Sequence, residues 1–150
     1  MGLDIYLEAK LHLPPYSEEL ALVRLAIGQS IGYTPPTDKP DHDPTLMEIT
    51  GVTVRLGYWR KFDPLHQWFV SNVLESYDDC RPAYVSPDVL AQLEELLDQV
   101  SDDPESASEH FASEDGEPMS EGDIGYTLQV LRHAKKLQER GWDVTYRTSW

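Results

Sequence analysis

The chain has 150 residues, among them 27 Asp and Glu and 12 Lys and Arg, which gives a formal net charge of -15 at pH 7. This charge excludes direct binding to a nucleic-acid backbone as an expected function, because neutralising phosphates requires Lys and Arg. A content of 40% hydrophobic residues at this length excludes a disordered chain and predicts one domain, residues 1–150.

The first two elements are a strand and a helix. Residues 2–8 alternate between apolar and polar side chains, which predicts a half-buried strand. Ser17, two glutamates and an apolar series with helical spacing follow, and they predict an N-capped helix that ends between Gly28 and Gly32.

A proline-rich stretch separates this helix from the next ordered region. Residues 34–44 contain four prolines and predict a loop. Residues 46–59 predict extended backbone, either as one bulged strand or as a tight hairpin around Gly51. Asp63, followed by a proline, predicts the start of a helix that continues to about residue 76.

The second half of the chain predicts a short strand, two helices and a final strand. Residues 83–85 favour a short strand, and Ser86 caps a helix with a regular leucine pattern. Residues 101–119 are acidic and predict a mobile excursion from the core. Ser120 begins the last helix, and alternation over residues 142–148 predicts a terminal strand.

Strands at both ends of the sequence indicate a particular fold class. Two terminal strands can pair at the centre of a sheet while the intervening helices cover it. The sequence therefore predicts an α+β fold, with a small antiparallel or mixed sheet and about four helices packed mainly on one face.

The expected location is the cytoplasm. The sequence contains neither the long apolar stretch of a membrane span nor the pattern of a signal peptide at its start. Cys80, the single cysteine, excludes an internal disulfide. We expect no cofactor, since the sequence has no Walker-type loop and no Gly-x-Gly-x-x-Gly motif.

A dense group of polar and aromatic residues forms the first candidate site. Cations, a carboxylate, an imidazole and a thiol fall near two predicted strand-helix junctions, where functional side chains are often positioned. The candidate pocket consists of Trp59, Arg60, Lys61, His66, Asp79, Cys80 and Tyr84. In such a pocket the two cations would hold an anionic group, and the carboxylate or imidazole would move a proton.

A structural interpretation of the same region is the stronger one. It places Trp59, Trp68 and Phe69 in the core, and it pairs Arg60 and Lys61 with Asp78 and Asp79. A nucleophile-base pair of Cys80 and His66 would also need an oxyanion site that the sequence does not indicate, so we do not expect catalysis through Cys80.

Metal binding has one weak candidate. His42 lies among Asp38, Asp41 and Asp43, but this spacing matches no known metal motif and a solvated proline-rich loop explains it better. We therefore predict no metal site.

The distribution of charge suggests a second candidate site. No Lys or Arg lies between Arg81 and Arg132, whereas that stretch contains thirteen Asp and Glu residues. Such a field can steer a protein toward a basic partner, although a solvated face that keeps the chain soluble also explains it. The candidate acidic binding surface consists of Glu94, Glu95, Asp98, Asp102, Asp103 and Glu105.

Several short motifs together resemble a family of small uncharacterised proteins of bacteriophages and prophages. They are the residues YWRK at 58–61, HxWFV at 66–70, DDC at 78–80 and YVS at 84–86, between an opening MGLDIYL and a closing WDVTYRTSW. The resemblance implies a bacterial host cytoplasm and an accessory role, such as blocking a host factor or a defence system.

Three functional hypotheses follow. The first is a non-enzymatic acidic binding protein that acts on a basic host protein. The alternative is a small-ligand-binding protein or enzyme that uses the candidate pocket. The third is a self-associating protein, a homo-oligomer in which the terminal strand pairs with its copy in another chain.

Overall fold

The computed structural model describes residues 2–14, 17–33, 49–111 and 119–150. Its contacts divide the chain into two compact units. The larger unit combines Met1–Lys10 with Val54–Trp150, and the smaller unit is Leu11–Thr53. The division falls within two of the strands.

Four strands and five α-helices make up the described residues. The strands are β1 (Asp4–His12), β2 (Gly51–Arg60), β3 (Ala83–Tyr84) and β4 (Asp143–Ser149). The helices are α1 (Ala21–Ser30), α2 (Asp63–Asn72), α3 (Pro87–Asp102), α4 (Ala107–His110) and α5 (Glu121–Glu139), with a single 3₁₀ turn before α4. The predicted α+β class is confirmed.

The first and last strands form the centre of the sheet. The strand order is β2-β1-β4-β3, and the sheet is antiparallel throughout. β1 and β4 pair in continuous register from Asp4 opposite Ser149 to Lys10 opposite Asp143. The predicted central pairing of the two terminal strands is therefore confirmed.

The position of β4 limits the predicted route to self-association, which stays a prediction. β4 pairs with β1 on one side, and its Thr145 and Tyr146 pair with β3 on the other. A strand with neighbours on both sides cannot accept a copy of itself at those residues, because its backbone hydrogen bonds are already used.

The core lies between the inner face of the sheet and the helices. β1 and β4 place alternate side chains inward, among them Ile5, Leu7, Val144 and Tyr146, each with no exposed surface. Leucines of α3 and α5 pack against them. Trp59, Trp68 and Phe69 also lie in this core, as the structural interpretation predicted.

Side-chain caps determine where the two long helices begin. The Ser86 hydroxyl accepts from the Val89 amide at the start of α3. Ser120 and Asp123 form a reciprocal capping box at the start of α5. Each of these caps satisfies amides that have no partner within the helix, which confirms both predicted starts.

The other boundaries differ from prediction in detail. Ser17 is not a cap, because α1 begins at Ala21 with Leu20 at the capping position. Asp63 lies inside α2 and Phe62 precedes it, while the helix ends at Asn72 instead of about residue 76. β2 runs without interruption from Gly51 to Arg60, and residues 46–48 of the predicted extended stretch lie outside the described residues.

The acidic stretch after α3 also differs from prediction. Residues 103–111 form the 3₁₀ turn and α4, and the side chains of Ala107 and Phe111 join the hydrophobic core. A core contact by Phe111 is incompatible with an excursion at that point, because burying an aromatic ring holds the chain to the domain. The rest of the predicted excursion, residues 112–118, lies outside the described residues.

The smaller unit contains α1 and a buried arginine. The guanidinium of Arg24 donates to the carbonyl oxygens of Pro14 and Ser17, the latter at 2.8 Å. These bonds satisfy a side chain that is 9% exposed. The predicted loop at 34–44 falls largely outside the described residues. Among the helices of the described ranges, none combines the length and apolarity needed to cross a membrane.

β2 has an irregularity at Gly57. The side chains of Leu56 and Trp59 both contact the core although they are an odd number of residues apart, and Tyr58 between them is exposed. This break in alternation is typical of a β-bulge. A Cβ atom at Gly57 would lie 2.5 Å from the Trp59 ring and 2.8 Å from Val130.

We predict that Gly57→Ala destabilises the protein by about 1 to 3 kcal/mol, because both neighbours are packed in the core. Gly125→Ala in α5 is the matched control, since its Cβ would meet nothing within 4 Å. That variant gains helix propensity and should be more stable by up to roughly 1 kcal/mol. Urea unfolding measures both, and equal effects would contradict the tight contact at Gly57.

Candidate functional site

A buried polar cluster lies where β4 ends, beside α2 and the loop before β3. His66 on α2 is 3% exposed, and its Nδ1 lies 2.8 Å from the hydroxyl of Tyr146. Its Nε2 lies 3.8 Å from Oδ2 of Asp78. The cluster therefore joins an imidazole, a phenol and a carboxylate within the core of the larger unit.

Asp78 is the acceptor at the centre of this cluster. Its carboxylate receives the Thr148 hydroxyl at 2.7 Å, the indole N–H of Trp150 at 3.2 Å and the backbone amide of Cys80 at 2.8 Å. Carboxylates accept such bonds strongly when they are ionised. Asp78 thus holds the end of β4 and the turn at Cys80 together.

The ionisation of the cluster follows from its burial. Loss of solvent lowers the pKa of His66 below its ordinary value, and the nearby carboxylates of Asp78 and Asp63 only partly oppose this effect. Burial also raises the pKa of Tyr146, with a further contribution from Asp78. At neutral pH the cluster therefore holds a neutral imidazole and a neutral phenol.

The geometry favours a structural role for the cluster. Trp150 contacts His66 edge to face at 5.5 Å and donates to Asp78, so an aromatic ring covers the imidazole-carboxylate pair. Phe69 stacks on Tyr146 at 4.1 Å from the other side. A general acid or base must be within hydrogen-bond distance of a substrate proton, whereas these side chains form hydrogen bonds with one another.

The residues of the candidate pocket are spread across the sheet. Trp59 lies in β2 on the inner face, where its indole donates to Thr127 at 3.1 Å. Tyr84 lies in β3, opposite Thr145 on the outer face, and is 58% exposed. Two strands separate β2 from β3, a span of about 14 Å. The structure does not bring these two residues together.

The charged members of the candidate pocket do not converge either. Asp79 pairs with Arg81, which lowers the pKa of the Asp79 carboxyl. Arg60 and Lys61 are exposed at the end of β2, and the backbone of Lys61 donates to Leu3. The predicted pairing of these two cations with Asp78 and Asp79 is therefore wrong. Asp79 forms its ion pair with Arg81. Asp78 accepts hydrogen bonds from the hydroxyl of Thr148, the indole of Trp150 and the amide of Cys80.

Cys80 and an open cleft complete this region. Cys80 is partly exposed and adopts a left-handed backbone with φ of 63°. A cleft of about 450 Å³ between α2 and β3 is lined by Asp79 together with Tyr77 and Arg81. Its lining does not include Trp59, His66 or Cys80. The alternative hypothesis of one pocket built from all seven residues therefore has little geometric support.

Sequence reasoning missed three members of the cluster: Tyr146, Thr148 and Trp150. The alternation of the terminal strand placed Tyr146 and Thr148 on its inner face. A buried hydroxyl needs a hydrogen-bond partner, and this requirement is the signal that could have linked β4 to polar residues elsewhere. Which residues it would meet depends on the sheet order.

The candidate acidic surface has a neutralised part on α3. Glu94 pairs with Lys135 and with Arg132, whose Nε lies 3.3 Å from it, and Asp98 lies 3.2 Å from the same arginine. Hydrogen bonding by Lys135 is the main cause that lowers the pKa of Glu94. The cations of α5 thus balance the side of α3 that faces them.

The other four members of the acidic surface are exposed. Glu95, Asp102, Asp103 and Glu105 have solvent-accessible side chains and form no ion pair with any described residue. They lie along the outer side of α3 and in the 3₁₀ turn that follows it.

No group of three His, Cys, Asp or Glu residues within the described ranges has the geometry of a metal site. The tract around His42 lies outside those ranges.

The fold and these sites define an α+β protein in which His66, Tyr146, Asp78 and Thr148 contact one another in a polar cluster. No family model, no curated protein and no solved structure matches the chain.

The two neighbouring aspartates provide a direct test of the cluster. We predict that Asp78→Asn destabilises the protein by about 1 to 3 kcal/mol, because the buried hydroxyl of Thr148 and the backbone amide of Cys80 lose their carboxylate acceptor. Asp79→Asn is the control, and it should leave the free energy of unfolding nearly unchanged because its ion pair is exposed. Chemical denaturation measures both. Equal effects would show that Asp78 has no special structural role.

The ionisation of His66 predicts how stability depends on pH. The folded pKa lies below the unfolded value of 6.5, so the unfolded chain binds a proton first as the pH falls. The contribution of neutral His66 is therefore complete above pH 6.5 and is lost as the pH falls toward the folded pKa. Thermal unfolding between about pH 7 and about pH 5 should show a steeper loss for the parent than for His66→Gln. His133→Gln, at an exposed position on α5, should keep the parent slope, and a parallel slope for His66→Gln would refute the assignment.

Proposed function

We propose that this protein is a non-enzymatic binding protein that uses the exposed acidic residues of α3 and the following turn to bind a basic partner protein. The observation that carries the proposal is the row of unpaired carboxylates on the outer side of α3. Asp88, Glu95 and Asp102 are seven residues apart in succession and are all exposed. Seven residues make nearly two helical turns, so these side chains share one face about 10.5 Å apart.

The pairing on the other side of α3 supports this assignment. Arg132 and Lys135 neutralise Glu94 and Asp98, which face α5. The exposed row has no such cations within the described ranges, so its field extends into solvent. A charged surface of this kind speeds association with a basic partner and makes the binding sensitive to salt.

The buried cluster supports a binding role over an enzymatic one. His66 and Asp78 are satisfied by Tyr146, Thr148 and Trp150, and the candidate pocket residues lie on different strands and faces. A catalytic site requires groups that converge on a reacting atom.

The resemblance to phage and prophage proteins directs the choice of partner. In that setting the partner would be a basic protein of the bacterial host, and binding would block a host factor or a defence system. The acidic row fits such a partner because its spaced charges imitate those of a nucleic-acid backbone that the partner would otherwise bind.

The test uses a decalysine peptide as the probe. The test variant neutralises four exposed carboxylates: Glu95→Gln, Asp102→Asn, Asp103→Asn and Glu105→Gln. We expect its affinity for the probe to fall by at least about tenfold at low salt, because each lost surface pair contributes a few tenths of a kcal/mol or more. Isothermal titration calorimetry measures the change.

The control variant has the same net charge but changes other exposed positions: Glu18→Gln, Glu19→Gln, Glu139→Gln and Asp143→Asn. It should bind nearly as tightly as the parent. An equal loss in both variants would show that only net charge matters, and the proposed surface would be wrong.

A further inference from the structure

The outer face of the sheet carries a row of aromatic and cationic side chains. Tyr6 lies on β1, and each neighbouring strand supplies an arginine next to it. The guanidinium carbons of Arg55 on β2 and Arg147 on β4 lie 4.8 Å and 4.6 Å from the centre of the Tyr6 ring. Tyr58 packs beside the same ring at 5.4 Å. We call Tyr6, Arg55, Tyr58 and Arg147 the outer-face row.

The cations near this row are only partly neutralised. Arg147 makes one ion pair, with Glu8 at 3.3 Å. Three further cations are exposed on β2 or directly after it: Arg55, Arg60 and Lys61. None of them forms an ion pair with any residue of the described ranges. Two carboxylates share the outer face with these cations: Glu8 pairs with Arg147, and Asp4 accepts from the Tyr58 hydroxyl at 2.8 Å. The four cations Arg55, Arg60, Lys61 and Arg147 outnumber these two carboxylates.

The geometry of the row suits a carboxylate ligand. A guanidinium that lies over an aromatic ring loses little further conformational freedom when it binds, and its N–H groups remain available for two parallel hydrogen bonds. Such bidentate contacts with carboxylates are among the strongest in proteins. Tyr and Arg are also the residues most enriched where binding energy concentrates in protein interfaces.

The acidic residues of α3 do not prevent an acidic ligand from binding here. The helices pack against the inner face of the sheet, so the outer-face row and the acidic row lie on opposite sides of the larger unit. Packed layers are about 10 Å apart, and charges beyond about 8 Å are largely screened at physiological salt. The local cations therefore dominate the field at the outer face.

We propose that the outer-face row is a docking surface for an acidic segment of a partner polypeptide, whose carboxylates bind Arg55 and Arg147. Charge complementarity identifies the occupant. Single-stranded nucleic acid fits less well, because base stacking needs a free aromatic face and the two guanidiniums already cover Tyr6. This surface is independent of the acidic row and binds a ligand of opposite charge.

A fluorescein-labelled peptide of alternating glutamate and serine is the probe, and fluorescence anisotropy reports its binding. Arg55→Gln should weaken binding about tenfold, the loss expected for one charge-assisted contact. Arg55 makes no ion pair with the described residues, so this variant should fold normally, which the thermal midpoint checks. Arg147→Gln should weaken binding similarly.

Arg140→Gln is the matched control, because it removes one exposed cation at the end of α5 and changes the net charge equally. It should bind like the parent. The variant with four neutralised carboxylates on α3 should also bind the glutamate peptide at least as well as the parent, which separates this proposal from the proposed function.

Three results would overturn the proposal: no saturable binding of the glutamate peptide, equal weakening by Arg140→Gln and Arg55→Gln, or undiminished binding of the matching glutamine-serine peptide. Tighter binding of oligouridine than of the glutamate peptide, lost in Arg55→Gln, would instead assign the surface to nucleic acid and would also overturn it.

Discussion

The pairing of the first strand with the last is the interaction on which the rest of the fold depends. β2 joins the described sheet through β1, and β3 joins it through β4, so both halves of the sheet meet at this one ladder. The ladder joins residues more than 130 positions apart, from Asp4 opposite Ser149 to Lys10 opposite Asp143. Closing so long a loop costs conformational entropy, and burial of apolar side chains on both strands offsets it. Ile5, Leu7 and Val144 have no exposed surface. The same inner face supports α3 and α5, so the helical layer also requires this ladder.

The polar cluster around Asp78 extends this ladder to the end of the chain. β3 pairs with only two residues of β4, and beyond them Asp78 accepts hydrogen bonds from the side chains of Thr148 and Trp150. The loop that carries Asp78 contains three non-glycine residues with left-handed backbone, Glu75, Ser76 and Cys80. Each such residue costs about 1 to 2 kcal/mol, so the contacts of Asp78 must compensate for that strain. The carboxylate, the imidazole and the tyrosine of this cluster thus lie beside a strained loop.

Much of the fold could be predicted from the sequence, and the candidate site could not, for a physical reason. Alternation in β1 and β4, and the caps at Ser86 and Ser120, are local signals that report directly on burial and on unsatisfied amides. Side-chain partners across the sheet depend on strand order, which local signals do not contain. The pairing of Arg60 and Lys61 with the two aspartates failed for this reason, since closeness in sequence suggested contacts that the sheet separates. Phe111 is a second example of a contact that local signals do not predict. The acidic composition of its segment predicted an excursion, but the buried ring of Phe111 packs in the core.

The charges of the larger unit are distributed unevenly between its two faces, which composition alone conceals. Within the described residues, the helical layer has exposed carboxylates without an ion pair, and the sheet face has Arg55 without an ion pair beside Arg147, Asp4 and Glu8. Within the helical layer, Arg132 and Lys135 form ion pairs with Glu94 and Asp98. They therefore do not neutralise the exposed row of Asp88, Glu95 and Asp102. On the sheet, Glu8 neutralises Arg147 only in part, and Arg55 stays over Tyr6 without a carboxylate partner among the described residues. Since screening limits each field to about its own face, one small protein can present two surfaces of opposite preference. Under both proposals, a partner would be selected by the local arrangement of charges on the face that it contacts, and the sign of the net charge alone would not predict that choice.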